Sequence, residues 1–77
     1  MMGETNKLAV DIPIPGKIII VDVKVGDKVR EGDQLCLIES MKMENPIRSP
    51  IDGTIVQIGV KAEQIVKPGD IIAIIEY

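Results

Sequence analysis

The sequence predicts an all-β domain, a small flattened barrel or sandwich of two quasi-symmetric halves with about four short strands each. Three observations predict it. The apolar residues are mainly isoleucine and valine, with no Phe, no Trp and one tyrosine, Tyr77, and β-branched side chains suit a pleated sheet. Shifting the chain by 37 positions lays Pro13 to Glu39 over Pro50 to Glu76 without a gap, with 11 identities in 27 pairs. Unrelated segments of this composition would share roughly two or three. Apolar and polar residues also alternate with period two inside each half, and no stretch holds a helical period for a useful length.

The elements follow in order. Residues 1–10, before the repeat begins, read as a flexible segment, and residues 11–77 as the folded domain. Pro13-Ile14-Pro15-Gly16 opens the first half, and in the alternating stretch that follows Ile19, Val21, Val23 and Val25 are expected to face the core. Gly26-Asp27 and Gly32-Asp33 mark turns, and Leu35 to Ile38 is an apolar run that holds the one cysteine, Cys36. Residues 39–45, Glu-Ser-Met-Lys-Met-Glu-Asn, fall at the junction between the halves and read as a turn. Ser49-Pro50-Ile51-Asp52-Gly53 restarts the pattern, and Val56, Ile58, Val60 and Ala62 repeat the alternation. Pro68-Gly69-Asp70 carries a type II turn signal before the last strand, Ile71 to Ile75. Neither half could bury its apolar face alone, so the two must pack together. Pseudo-twofold symmetry then puts the junction and the chain ends at opposite ends of the molecule.

Composition narrows the function. A chain of 77 residues is one domain. A formal charge of −3 and a pI near 4.8 disfavour nucleic acid and anionic membrane surfaces, and stacking platforms for bases are absent. The longest apolar run, Ile71 to Ile75, falls far short of the roughly 20 residues that span a bilayer. Met1 to Lys7 is polar, with no apolar stretch behind it to suggest a signal peptide. A lone cysteine cannot form an internal disulfide, which suits a reducing compartment. The expectation is a cytoplasmic protein with no membrane insertion.

Few residues offer chemistry. Glu31, Glu39, Glu44 and Glu63 lack ligand spacing and the chain has no histidine, so no metal site is expected. Cys36 reads as a buried structural thiol. The glycines read as turn formers. Taken singly, Lys42 would be a solvated surface residue, and Met41 and Met43 would fill gaps in a core. Set together in a polar turn, they point instead to a surface that other proteins read.

Residues 39–45 resemble the biotin attachment motif of biotinyl domains, the biotin carboxyl carrier modules of biotin-dependent carboxylases, decarboxylases and transcarboxylases. Pro13-Ile14-Pro15-Gly16 is similar to the family's opening. Val25-Gly26-Asp27-Lys28-Val29 and Glu31-Gly32-Asp33 match its first turns, and Ser49-Pro50-Ile51-Asp52-Gly53 matches its second-half start. The resemblance covers roughly residues 12–76 and implies a barrel-sandwich hybrid fold with Lys42 at a hairpin tip, carrying covalent biotin. It implies that Met41 and Met43 are read by a biotin protein ligase and by the biotin carboxylase, carboxyltransferase or decarboxylase partners. The domain would then be a carrier with no catalytic residues of its own, monomeric as an isolated domain. A lysine ammonium is a poor nucleophile near neutral pH, so a separate ligase must activate biotin and take up the proton.

Two residues depart from the common pattern. Ser40 stands where alanine is usual, a small change. Pro46 lacks an N–H, so the strand leaving the hairpin is expected at a sheet edge, or to begin after that position. Two other readings stay open. A lipoyl domain shares the fold and a hairpin lysine, although methionine on both sides of Lys42 places lipoate behind biotin. A structural barrel-sandwich module would carry no prosthetic group.

Overall fold

Valine and isoleucine runs separated by glycine turns form eight short strands in the computed structural model, which describes residues 5–77. They are β1 (Lys7–Asp11), β2 (Gly16–Val21), β3 (Lys28–Val29), β4 (Gln34–Ser40), β5 (Met43–Arg48), β6 (Gly53–Ile58), β7 (Ile65–Val66) and β8 (Ile71–Glu76). There is no helix among the described residues. All pairings are antiparallel, in two four-stranded sheets ordered β1-β8-β6-β3 and β5-β4-β2-β7.

The repeat accounts for this topology. A shift of 37 residues carries β2, β3 and β4 onto β6, β7 and β8, and it carries one sheet order onto the other. The halves do more than pack on each other. Each sheet takes two strands from either half, so neither sheet exists without both. The turns repeat too. Asp27, Asp33 and Asp70 each accept a hydrogen bond from the backbone N–H three residues earlier, with Gly26, Gly32 and Gly69 just before them at positive φ. At the fourth turn Gln64 takes the aspartate's part and Glu63 stands at φ 73 where the first half has Gly26.

The core obeys the same symmetry. Ile18 and Ile55, Val29 and Val66, Leu35 and Ile72, Cys36 and Ala73, and Ile38 and Ile75 are buried as counterpart pairs. Each isoleucine or leucine so buried stabilises the fold by about 1.5–3 kcal/mol. Ser49 is buried where Ile12 is buried in the first half, and its hydroxyl donates to the Ile51 carbonyl at 2.6 Å. That satisfied hydroxyl makes a polar residue tolerable there.

Two expectations are corrected. The set Ile19, Val21, Val23 and Val25 does not form one buried face. A bulge between Ile18 and Ile20 changes the phase of β2, so Ile18 enters the core before it and Val21 and Val23 pack on the core after it. Val25 lies in the turn and is 61% exposed. The first ten residues are not a flexible segment as far as Lys7–Val10 are concerned. They belong to β1, which pairs with β8 from Lys7↔Glu76 to Asp11↔Ile71; residues 1–4 lie outside the described residues.

Candidate functional site

The junction is a tight hairpin. Strands β4 and β5 pair without a break from Cys36↔Ile47 to Ser40↔Met43, which leaves Met41 and Lys42 as the entire loop. Both have positive φ, 54° and 66°, and two successive left-handed residues define a type I′ turn, whose twist matches that of the flanking strands. Asn-Gly usually serves there. Holding methionine and lysine in that conformation costs roughly 1–2 kcal/mol each, a strain that the long β4–β5 ladder sustains.

The turn sets out all three candidate residues. Met41 is 92% exposed, Met43 is 66% exposed and Lys42 is exposed between them. Among the described residues the Lys42 ammonium has no ion-pair or hydrogen-bond partner, whereas Lys17 and Lys67 are held by Glu63 and Asp70 at 2.9 and 3.1 Å. The Asn45 side chain donates to the Met43 carbonyl at 3.2 Å and braces the first residue after the loop. Pro46 sits within β5, and β5 is an edge strand, as the missing N–H requires.

Registers place this tip far from the strand ends. β2 begins beside the hairpin, with Lys17 opposite Glu39. The chain it leads into pairs through Lys28 and Val29 with Thr54 and Gly53, and Thr54 in turn lies opposite Glu76. At that far end Asn6 and Tyr77 exchange two backbone hydrogen bonds of 2.8 Å. They are the counterparts of Met43 and Ser40.

Cys36 is fully buried in β4, and desolvation, with the Asp22 charge adding to it, pushes its thiol up to about 11. An open groove of about 530 Å³ runs past Lys28, Arg30 and Asp52 on the β3 side. One Asp52 carboxylate oxygen there already accepts the Glu31 N–H at 2.7 Å.

Two features near the tip escaped the sequence reading. Glu39 and Glu44 stand directly opposite each other in the β4–β5 ladder. Lys17, next in that row, is bridged to Glu63. The 37-residue shift holds the missed signal, since it aligns Glu44 with Lys7 and Glu63 with Gly26.

Known proteins share this architecture. A family model described as biotin-requiring enzyme matches residues 8–75. The propionyl-CoA carboxylase alpha chain of Ruegeria pomeroyi is 52% identical over 46 residues, 60% of this chain and 7% of that protein. The glutaconyl-CoA decarboxylase subunit gamma of Acidaminococcus fermentans is 52% identical over 42 residues, 54% of this chain and 29% of the subunit. Among solved structures, Kluyveromyces lactis urea carboxylase superposes with a TM-score of 0.84 at 27% identity, over 97% of this chain and 7% of that one. A single-chain, multi-domain long-chain acyl-CoA carboxylase gives 0.84 at 26% identity, over 88% of this chain and 7% of its own. The chain thus spans a small part of the relatives it matches.

Proposed function

The chain belongs to the biotin-requiring enzyme family, and on that premise we propose that it is a biotin carrier whose covalent attachment point is Lys42. The observation that carries the reading is the unpartnered ammonium of Lys42 at the tip of a two-residue turn. An amine so placed fits an amide link to the carboxyl group of biotin. It is exposed, and among the described residues no acid is paired with it that loss of its charge would leave unpaired. Bound there, biotin supplies a carrier for CO2 between a carboxylase site and a carboxyltransferase or decarboxylase site. The chain's own residues position that link. The β4–β5 ladder holds the turn out in water, and Met41 and Met43 offer flexible apolar contact to several partners in turn.

The biotin protein ligase and the two partner active sites supply the chemistry, and the domain acts as a monomeric carrier in the cytoplasm. Its relatives' names, propionyl-CoA carboxylase and glutaconyl-CoA decarboxylase, support a place in enzymes of that class.

Co-expression of wild-type and Lys42→Arg protein with a biotin ligase tests the proposal. Intact mass is expected to rise by one biotin in the wild type only, with streptavidin binding to match. Equal labelling of Lys42→Arg would move the site elsewhere. A lipoyl-sized increment on the wild type would replace biotin with lipoate, and no increment at all would leave a structural module.

A further inference from the structure

Each sheet ends in one short edge strand and one long one. The edges β3 and β7 are two residues long, and such brevity keeps an edge from pairing with another chain. β1 and β5 are five and six residues long and occupy equivalent edges, related by the 37-residue shift.

In an antiparallel ladder, residues bonded to the neighbouring strand alternate with residues whose N–H and C=O point away from it. Asn6 exchanges both bonds with Tyr77, and the Ile12 N–H donates to Asp70. Lys7, Ala9 and Asp11 therefore turn their backbone groups outward, and β8 is the one strand that pairs with β1 among the described residues. The counterparts on β5 are Glu44, Pro46 and Arg48. Pro46 has no N–H to offer, so the middle of that edge is closed to a further strand. Ala9 keeps its N–H and is exposed, with a side chain too small to obstruct an approach.

The order of charges decides what fits the open edge. Laid antiparallel on a second copy of itself about Ala9, β1 sets Lys7 opposite the second copy's Asp11 at both ends. Leu8 then faces the second copy's Val10, and both are half-buried residues that the neighbour would cover further. The outward groups of residues 7, 9 and 11 meet those of 11, 9 and 7, so register and bonding phase agree. A slip of two residues either way loses both lysine–aspartate pairs. The alternatives fail on the same grounds. β1 laid antiparallel on β5 brings Lys7 to Arg48 and Asp11 to Glu44, with Pro46 against Ala9. β5 laid on itself opposes two prolines.

We propose that the β1 edge pairs with the β1 edge of a second copy, joining two four-stranded sheets into one of eight about a twofold axis at Ala9. The inference stands apart from the carrier reading. Five residues a side fall far short of the roughly 20–30 that a stable interface uses. The chain is therefore a monomer when dilute, and the pairing has a dissociation constant of about 0.1–1 mM. Copies tethered close together would pair more fully. Because the two strands run in opposite directions, the hairpins point to opposite poles and both Lys42 side chains stay open.

Sedimentation equilibrium and amide NMR spectra of the whole chain, from about 20 µM to about 2 mM, test the proposal. The expected result is a monomer–dimer equilibrium, with shift changes concentrated at the amides of Lys7, Ala9 and Asp11. Ala9→Pro copies the residue that β5 already accepts and removes no bond to β8. It should raise the dissociation constant about tenfold or more, with the melting temperature retained. Asp11→Lys and Lys7→Asp should each stay monomeric alone and associate when mixed, since only the mixture restores both opposite pairs. If Ala9→Pro does not fold, the charge variants decide. A chain that stays monomeric at the highest concentration overturns the inference. So does a dimer indifferent to Ala9→Pro and to both charge variants, which would use another surface.

Discussion

A methyl group at Gly16 would run into the backbone carbonyl oxygen of Glu39, three residues before Lys42. It would also stand 2.8 Å from the Ile38 Cγ2 atom. Backbone cannot move aside cheaply in the middle of a ladder, so Gly16→Ala is expected to destabilise the fold by about 2 kcal/mol. Gly53 meets Glu76 and Ile75 in the same way at the other end, and Gly53→Ala should cost a similar amount. Urea denaturation measures both. Only Gly16→Ala disturbs the strand beneath the tip, so only that variant should also slow modification of Lys42.

Met41→Asn should stabilise the protein by about 0.5–1 kcal/mol, because asparagine adopts the left-handed conformation at φ 54 with less strain. Lys42 remains in place in this variant. Slower ligation despite a firmer hairpin would show that the methionine side chain itself is read. Unchanged ligation would confine recognition to other residues.

The Cys36 thiol, raised to about 11 from 9.0, sets a pH limit on stability. Below pH 9.0 the thiol is neutral in both states and its contribution is fully present. As pH rises from 9.0 toward 11 the unfolded chain ionises first, which favours unfolding. Melting curves of wild type should therefore fall across that window more steeply than those of Cys36→Ala. A thiol reagent at pH 8 should label the protein only after denaturant is added.

Asp70 behaves in the opposite sense. The backbone N–H of Lys67, and then its ammonium, hold this carboxyl below its ordinary 3.8. The stabilisation is present above pH 3.8 and is lost as pH falls through the lowered folded value. Asp70→Asn is expected to lower the melting temperature at neutral pH, with the gap to wild type closing in acid. A constant gap from pH 7 to pH 2 would mean that the carboxylate's charge contributes nothing.

The repeat made much of this fold legible, since the aligned prolines, glycines and aspartates mark turns and the intervening valines and isoleucines mark strands. The unread parts all depend on long-range pairing. β1 escaped because KLAVD and its counterpart ENPIR share no residue, although the two occupy equivalent edges of the two sheets. The inward face of β2 was misjudged because a bulge adds a residue without any sequence mark. The exchange of strands between halves is invisible to any local pattern. The turn at Lys42 was legible because a motif and a repeat boundary coincide there. The opposed Glu39 and Glu44 were not, because opposition is a property of register.

The paired strand ends at Asn6 and Tyr77 differ from the hairpin chiefly in lacking a covalent turn, and that makes the order of the chain negotiable. A two-residue bridge from Tyr77 back to Asn6, with the backbone opened between Met41 and Lys42, should yield a permuted protein with the same two sheets. If methionine and lysine form the new bridge, the candidate amine moves to the opposite pole while the sheet that carried it stays where it was. Such a molecule would separate, in one experiment, what a ligase recognises in the turn from what it recognises beside it.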